Sequence, residues 1–275
     1  MKRILVPTDF SHAADRALDY ALKLAGQNDA EVIALHTVEL PLPEYAVQPE
    51  GIQDYNHYRV EEARLKLETY YSRFENTDKL TTVLVNGSVT EAVPDKALQY
   101  DVDLIVMGTR GADGIRVMLG SNASNVLTRS AVPVLVVPEA YKGGLPAKIV
   151  LAVQNQESEF LLAPVFALQA LCNASLITLH FTSDEMPQQK RMERAGQLAV
   201  LRDKWEQDFG AEDVASEVIS GREFNESLDR FVEEQSVDLV AMVTHRRHGL
   251  PGLFQKSLTR ERAFHTRVPL LSIHI

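Results

Sequence analysis

The amino-acid sequence predicts an α/β protein of two tandem domains, each built on a doubly wound open parallel sheet. Three observations predict this fold class. Short apolar runs typical of buried strands alternate with helical segments along the whole chain. The pattern occurs twice, since Asp103–Met107 recurs as Asp238–Met242, and Val132–Leu135 recurs as Val268–Leu271. A segment rich in glycine and proline, Glu139–Ala147, separates the copies, so we expect domains at 1–140 and 147–275.

The first copy supplies five strands and four helices in alternation. Arg3–Thr8 is an apolar strand, and Ser11 is a good N-cap for a helix that runs to about Ala25 with one apolar face. The elements that follow, beginning with a strand and alternating with helices, are Glu31–Val38, Tyr58–Phe74, Leu80–Val85, Glu91–Gln99, Leu104–Met107, Asn122–Ser130 and Val134–Val137.

The second copy repeats this order. Its elements, again beginning with a strand, are Ile149–Val153, Ser158–Cys172, Leu176–Phe181, Met186–Phe209, Val214–Ile219, Phe224–Glu234, Leu239–Val243, Ser257–Phe264 and Leu270–Ile273. The last strand of each copy is mainly apolar. Because an unpaired strand edge readily recruits a partner strand, we expect Val134–Val137 and Leu270–Ile273 to pair the two domains within the chain.

Composition excludes several classes of protein. A hydrophobic content of 45% and a charged content of 24% are close to the average for soluble globular proteins, and no apolar run is long enough to cross a bilayer. The N-terminus enters a strand without the apolar core of a signal peptide, so we expect a cytoplasmic protein that binds no membrane. A net charge of −10 disfavours nucleic acid as a partner.

Metal and thiol chemistry are also disfavoured. Cys172 is the single cysteine, which excludes an intramolecular disulfide and a multi-cysteine metal site, and its setting favours an inert buried thiol. The histidines form no metal-binding motif. His36 and His180 lie at equivalent strand positions, which favours a packing role, and we expect no metal site built from protein side chains.

A series of glycines follows the strand Leu104–Met107. They are spaced closely before Ser121, which opens a helical segment. Glycine permits positive φ and lets backbone N–H groups approach a ligand, so the stretch is typical of a phosphate cradle at a helix N-terminus. An ordinary turn is the alternative interpretation. The glycines are Gly108, Gly111, Gly114 and Gly120.

Residues from distant parts of the chain are expected to meet at one crevice. In an open parallel sheet, ligands bind at the carboxyl ends of the strands where the winding reverses. Pro7–Asp9, Val38 and Met107–Gly108 all follow strands in this way. The Asp9 carboxylate could accept hydrogen bonds from a ribose or an adenine amino group, or it could cap the following helix in competition with Ser11.

The stretches ILVPTDFS, DLIVMGTRG, the following Gly-Ser pair and VPVLVVP resemble the universal stress protein family, and the duplication resembles its tandem members. The resemblance implies the HUP fold, also called adenine nucleotide alpha hydrolase-like, with ATP or AMP as ligand, with or without magnesium. It places Pro7, Thr8 and Asp9 near ribose and adenine. It also implies that Val38 contacts the base through its backbone and that Met107 lies beneath the nucleotide. The residues it places around the phosphates are Gly108, Arg110, Gly111, Gly120, Ser121 and Asn122.

The chain departs from the family pattern in both copies. ATP-binding members have nine residues between the second glycine of the pair and the Gly-Ser dipeptide, whereas Ala112–Leu119 supplies eight. We expect the shorter loop to shift Ser121 and its backbone N–H groups while an adenosine still fits. The second copy departs further, so we expect at most one nucleotide per chain. It carries side chains at the positions equivalent to Asp9, Gly108, Gly111 and Gly120, namely Gln154, Val243, Arg246 and Lys256.

Two functions from different classes follow. The first is a stress-response protein in which ATP or AMP binds the N-terminal domain and the C-terminal domain is structural or regulatory. Such a protein is not expected to be an enzyme beyond slow ATP hydrolysis, because the sequence shows neither an obvious general base nor a carboxylate set for magnesium. The second is a nucleotide-free interaction protein that acts through domain pairing. Association into a homodimer is left open.

Overall fold

The computed structural model of the protein describes residues 1–41, 52–74, 77–109, 121–153, 159–244 and 267–274. The helix expected at Ser257–Phe264 lies outside these residues. The elements of the first half are β1 (Arg3–Pro7), α1 (His12–Asn28), β2 (Glu31–Val38), α2 (Ile52–Tyr71), β3 (Leu80–Asn86), α3 (Val89–Gln99), β4 (Leu104–Thr109), α4 (Ser121–Arg129) and β5 (Val134–Pro138). Those of the second half are β6 (Lys148–Val153), α5 (Glu159–Cys172), β7 (Ser175–Ser183), α6 (Gln188–Phe209), β8 (Val214–Gly221), α7 (Phe224–Glu234), β9 (Leu239–Thr244) and β10 (Leu270–His274).

The local sequence determines where helix α1 begins and ends. Ser11 is its N-cap, as the sequence predicted, and the Ser11 hydroxyl accepts a hydrogen bond from the Ala14 N–H at 3.3 Å. The helix ends at Asp29, which has a left-handed backbone and donates its N–H to the Ala25 carbonyl. Its apolar face is fully buried, so both ends and one side of α1 are fixed against the sheet.

The ten strands form a single sheet in the order β3-β2-β1-β4-β5-β10-β9-β6-β7-β8. Strand β1 pairs in parallel with β2 on one side and with β4 on the other, so the winding reverses between β1 and β4. The same arrangement recurs in the second half, where β6 lies between β7 and β9. The expected fold class, two doubly wound parallel sheets in tandem, is confirmed.

An antiparallel strand pair joins the two halves. Leu135 of β5 lies opposite Leu271 of β10, and every other strand pair among the described residues is parallel. The two terminal strands that the sequence marked as pairing edges therefore pair with each other, which confirms the expected intramolecular pairing. The halves make one sheet with β3 and β8 at its outer edges.

Helices cover both faces of this sheet. On one face, α1 and α2 from the first half and α5 and α6 from the second bury one continuous apolar core, which includes Leu135, Leu271 and Trp205. On the other face each half has a core of its own, formed under α3 and α4 in the first half and under α7 in the second. The shared core on one face makes the stability of the halves interdependent.

An aspartate precedes both β4 and β9, and its hydrogen bonds explain why this residue occurs in both copies. The Asp103 carboxylate accepts hydrogen bonds from the backbone N–H groups of Lys2 and Arg3, at the start of β1. Asp238 does the same for Ala147–Lys148 at the start of β6, at 3.0 and 2.9 Å. Each aspartate therefore ties two neighbouring strands together at their amino ends, which is a structural role in both copies.

The remaining sequence-based expectations concern element bounds and Cys172. Helix α2 begins and ends earlier than the predicted Tyr58–Phe74, because its first turns are mostly exposed and carry little apolar periodicity. Cys172 is half-buried, and burial raises the pKa of its thiol to about 11, so the thiol stays protonated at neutral pH. Among the helices of the described ranges, none has the length and apolar character needed to cross a membrane.

The shared core predicts that damage to one half is felt in the other. Leu135→Ala should lower the free energy of unfolding by about 2–5 kcal/mol, because it opens a cavity where the two halves meet. Trp205 is the single tryptophan and is fully buried in the second half, so its fluorescence reports unfolding there. Urea unfolding followed by far-UV circular dichroism and by Trp205 fluorescence should show the same lowered midpoint.

Leu98→Ala is the matched control, since Leu98 is 58% exposed on α3 and its loss should change the free energy of unfolding by less than about 0.5 kcal/mol. A fluorescence midpoint that Leu135→Ala leaves unchanged would show that the second half unfolds independently.

Candidate functional site

A cavity of about 320 Å³ lies where the winding of the first half reverses, at the carboxyl ends of β1, β2 and β4. This volume is in the range of small-molecule sites. Pro7, Thr8 and Asp9 line it after β1, and Leu35 and Thr37 line it from β2. From β4 and α4 the lining residues are Met107, Gly108, Thr109, Ser121, Asn122 and Ala123.

The structure brings most of the predicted site residues to this cavity. Of the eleven named from the sequence, seven line it: Pro7, Thr8, Asp9, Met107, Gly108, Ser121 and Asn122. Arg110, Gly111 and Gly120 lie outside the described residues. Of the glycine-rich stretch after β4, the structure therefore describes only the start, at Gly108, and the end, at Ser121.

Val38 is at the end of β2 but does not line the cavity among the described residues. Its backbone carbonyl accepts a hydrogen bond from the Gly87 N–H at 3.1 Å. Since side chains alternate along a strand, Leu35 and Thr37 share the face that borders the cavity and Val38 lies on the other. The backbone contact of Val38 with a base stays a prediction.

Three helices point their N-termini at the cavity. Ser11 at the start of α1, Val89 at the start of α3 and Ser121 at the start of α4 all line it. The first backbone N–H groups of a helix have no partner inside the helix, and the helix dipole makes this end positive. The arrangement therefore favours an anionic ligand group, even though the chain as a whole is acidic.

Gly108 determines how closely α1 approaches β4. A Cβ atom at Gly108 would lie 2.0 Å from the carbonyl oxygen of Ala13, well inside contact distance. The glycine is therefore required for packing, in addition to any role beside a ligand. The equivalent residue of β9 is Val243, whose side chain is buried. The second half therefore has no glycine at the position where α1 comes close to β4 in the first half.

The turn after β1 is fixed by its own side chains. The Asp9 carboxylate accepts the Ser11 N–H at 3.0 Å, and the Thr8 hydroxyl accepts the Phe10 N–H at 3.0 Å. Ser11, rather than Asp9, is the N-cap of α1, so the interpretation of Asp9 as the helix cap is wrong, while its contact with a ligand stays a prediction. Asp9 holds the turn in shape at the edge of the cavity.

Phe10 holds this turn against α2. Its backbone has a φ of 66°, in the left-handed region that disfavours bulky residues. The ring packs 4.5 Å from the ring of His36 and 5.1 Å from that of Tyr70, and the Lys66 ammonium lies 4.6 Å from its centre. These contacts offset the backbone strain and keep Asp9 in place.

His36 supports the same turn from β2. Its Nδ1 lies 2.8 Å from the Thr8 carbonyl oxygen, and because a carbonyl can only accept, Nδ1–H is the donor. Burial lowers the pKa of His36, so the ring is neutral at pH 7. His180 makes the equivalent bond to the Val153 carbonyl at 3.1 Å. Both histidines are structural, and the described ranges contain no group of three or more potential metal ligands.

Thr109 is a cavity residue that the sequence analysis missed. It ends β4, is 2% exposed, and its hydroxyl oxygen is buried without a hydrogen-bond partner. The sequence signal that could have found it is its position between Gly108 and Gly111, which places a hydroxyl within the glycine pattern.

Comparison with known proteins finds the same family in each half of the chain. The family model described as the universal stress protein family matches residues 1–138 and again 147–274. The chain belongs to the universal stress protein family. Both the predicted resemblance and the tandem organisation are thereby confirmed.

Individual relatives match in sequence over about half of this chain. A universal stress protein of Methanocaldococcus jannaschii is 33% identical over 144 residues, which cover 51% of this chain and 84% of that protein. Universal stress protein G of Salmonella typhimurium is 29% identical over 143 residues, covering 50% of this chain and 98% of that protein. The crystal structure of a universal stress protein from Archaeoglobus fulgidus matches 99% of this chain and 98% of its own, with a TM-score of 0.72 at 17% identity.

Gly108 gives a testable prediction about packing. Gly108→Ala should lower the free energy of unfolding by about 1–3 kcal/mol, because the new methyl group forces α1 away from β4. Gly26→Ala is the matched control, since Gly26 lies within α1 with nothing within 4 Å and the change should be neutral or stabilising by up to about 1 kcal/mol. Urea unfolding of both variants measures this, and equal stability of the two would contradict the packing role.

Phe10 gives a prediction about backbone strain. Phe10→Ala and Phe10→Gly both remove the ring, but only glycine adopts a φ of 66° without strain. We expect the glycine variant to be the more stable of the two by about 1 kcal/mol in chemical unfolding. Phe74 packs in the same aromatic cluster without a positive φ, so there the order should reverse. The same order at both positions would show that strain at Phe10 is absent.

Proposed function

We propose that the chain is a stress-response protein whose N-terminal domain binds one adenine nucleotide, ATP or AMP, in the cavity between β1 and β4. The observation that carries the proposal is the meeting of three helix N-termini with Asp9 at the point where the winding reverses. The helix ends suit phosphate groups, and the Asp9 carboxylate suits the hydroxyl or amino groups of an adenosine. Family membership makes this the expected location of a ligand.

The residues present fit a nucleotide better than they fit a bound metal ion. Asp9 is the one carboxylate among the described residues that line the cavity. Magnesium is held by oxygen ligands and usually keeps several waters, so any magnesium here would be coordinated mainly by the phosphates. Asp9 also accepts the Ser11 N–H, which makes it a poor general base. We therefore expect at most slow hydrolysis of ATP.

The C-terminal domain is proposed to be structural or regulatory. Val243 holds the position of Gly108, so the close helix approach that shapes the first crevice is unavailable in the second. The chain would then consist of a nucleotide-binding domain at 1–140 and a degenerate domain at 147–275.

The alternative function is a nucleotide-free interaction protein acting through domain pairing, and the pairing that the structure contains joins the two halves of one chain. Strands β5 and β10 pair with each other inside the chain, so neither offers a free edge to another protein. The outer edges of the sheet are β3 and β8, which were not the strands that suggested this function.

Isothermal titration of the purified chain with ATP, ADP and AMP tests the proposal. We expect one site per chain, and Asp9→Ala should weaken binding by about tenfold or more through loss of hydrogen bonds to a charged acceptor. Asp9→Asn keeps an acceptor for the Ser11 N–H and separates ligand contact from turn shape. Asp95→Ala, at an exposed position of α3, is the control and should bind like the unmodified chain.

Failure to bind any of the three nucleotides at millimolar concentration would remove the proposal. A stoichiometry of two nucleotides per chain would show that the C-terminal domain is not degenerate.

A further inference from the structure

A second cavity, of about 400 Å³, lies in the second half of the chain, between α6 and the carboxyl ends of β7 and β8. This volume is in the range of small-molecule sites. The cavity is separate from that of the first half, which lies at the ends of β1, β2 and β4. Its lining residues are Gln188, Arg191, Met192 and Ala195 of α6, Thr182 of β7, and Val218 and Ser220 of β8.

The first turns of α6 leave this space open. The buried residues of α6 are Leu198 and Trp205, and both lie in its second half. Residues 188–197 therefore extend over the β7–β8 pair without a buried side chain among them. The core that fills the space beneath the later turns of α6 does not fill the space beneath the first ones.

The strand registers identify the equivalent residues of the two halves. His36 lies opposite Leu84 of β3, and His180 lies opposite Val218 of β8. A valine therefore stands in the second half where the first half has a leucine that packs against the core. The shorter side chain enlarges the space beneath α6.

The floor of the cavity is also more polar than its counterpart. One strand position beyond the histidine of each half on the same face, Thr182 replaces Val38 and Ser220 replaces Asn86. The Asn86 side-chain oxygen accepts the Leu40 N–H at 3.3 Å, whereas the Ser220 hydroxyl makes no hydrogen bond within the described ranges. A gap between apolar side chains stays dry, but a polar cavity is filled by water or by a ligand.

Arg191 determines the charge that the cavity favours. It forms no ion pair with a described residue, and no carboxylate is found among the described residues that line the cavity. The Gln188 amide and the Ser220 hydroxyl add neutral donors. A guanidinium with such neighbours suits an oxyanion, which it can bind through two parallel hydrogen bonds. Met192 and Val218 offer apolar contact to a short hydrocarbon part of the same ligand.

We propose that this cavity is a second ligand site, which binds a small organic anion of the short-chain carboxylate class through Arg191. The site goes beyond the nucleotide site of the proposed function and lies in the other half of the chain. It gives the C-terminal domain a ligand of its own, and with it a means of regulation that needs no glycine loop. Because the two sites share no residue, each can be tested without the other.

Titration of the full chain, labelled with ¹⁵N, with sodium butyrate at constant ionic strength tests the proposal by amide NMR. We expect saturable shifts centred on Arg191 and Ser220. Butyramide has the same shape without the charge, and it should bind at least about tenfold more weakly. Inorganic phosphate should bind more weakly than butyrate, because it has no hydrocarbon part to place against Met192 and Val218.

Two variants and one matched control complete the experiment. Arg191→Gln should weaken butyrate binding by about tenfold or more through loss of the charge-assisted pair. Val218→Leu introduces the residue of the first half, so it should occupy the cavity and block binding without lowering the melting temperature. Lys190→Gln removes the same charge from the adjacent exposed position, which does not line the cavity, and its affinity should stay within about twofold.

Absence of saturable shifts with butyrate would overturn the site. Equal losses in Arg191→Gln and Lys190→Gln would show general attraction to a basic surface, and tighter binding of phosphate than of butyrate would overturn the assignment to an organic anion. Full butyrate affinity in Val218→Leu would place the ligand elsewhere. Butyrate binding by a chain that binds no nucleotide would remove the proposed function alone, and the converse result would remove this site alone.

Discussion

The antiparallel contact between β5 and β10 is the interaction on which the rest of the structure depends. It joins two parallel half-sheets, brings Leu135 opposite Leu271, and aligns the helices of both halves over one shared core. Each half contributes one strand that would otherwise be an open apolar edge. The cavity of the first half lies away from this contact, at the ends of β1, β2 and β4. The pairing therefore stabilises the molecule, while the shape of the cavity is decided locally.

The shape of the cavity in the first half depends on a glycine in β4 and on the restrained turn after β1. Gly108 allows α1 to lie directly on β4, and Phe10 fixes the turn that carries Asp9. The second half keeps the histidine that braces the end of its first strand and the aspartate that ties the strand starts together. It does not keep the glycine. The copies thus differ at the glycine that lets a helix approach the fourth strand, and they agree at the groups that hold strands together.

The sequence predicted the strands, the duplication and most of the cavity, because each depends on a pattern that can be seen locally. Buried strands are apolar runs, and residues after them must meet at the carboxyl edge of a parallel sheet. Leu35 could not be found in this way, since a leucine in a strand has the same local signature whether it faces a core or a cavity. The packing role of Gly108 was also hidden, because it depends on Ala13, which is distant in sequence.

The direction of the strands has a consequence for symmetry. Since β5 and β10 run antiparallel, the carboxyl ends of the two half-sheets lie at opposite edges of the common sheet. Two identical chains paired in this way would be related by a twofold axis, and any substitution in one crevice would necessarily appear in the other. When both halves belong to one chain, a substitution in one crevice does not appear in the other. A change such as glycine to valine at the end of the fourth strand can alter one crevice alone, so the duplicated chain can assign binding to one half and support to the other.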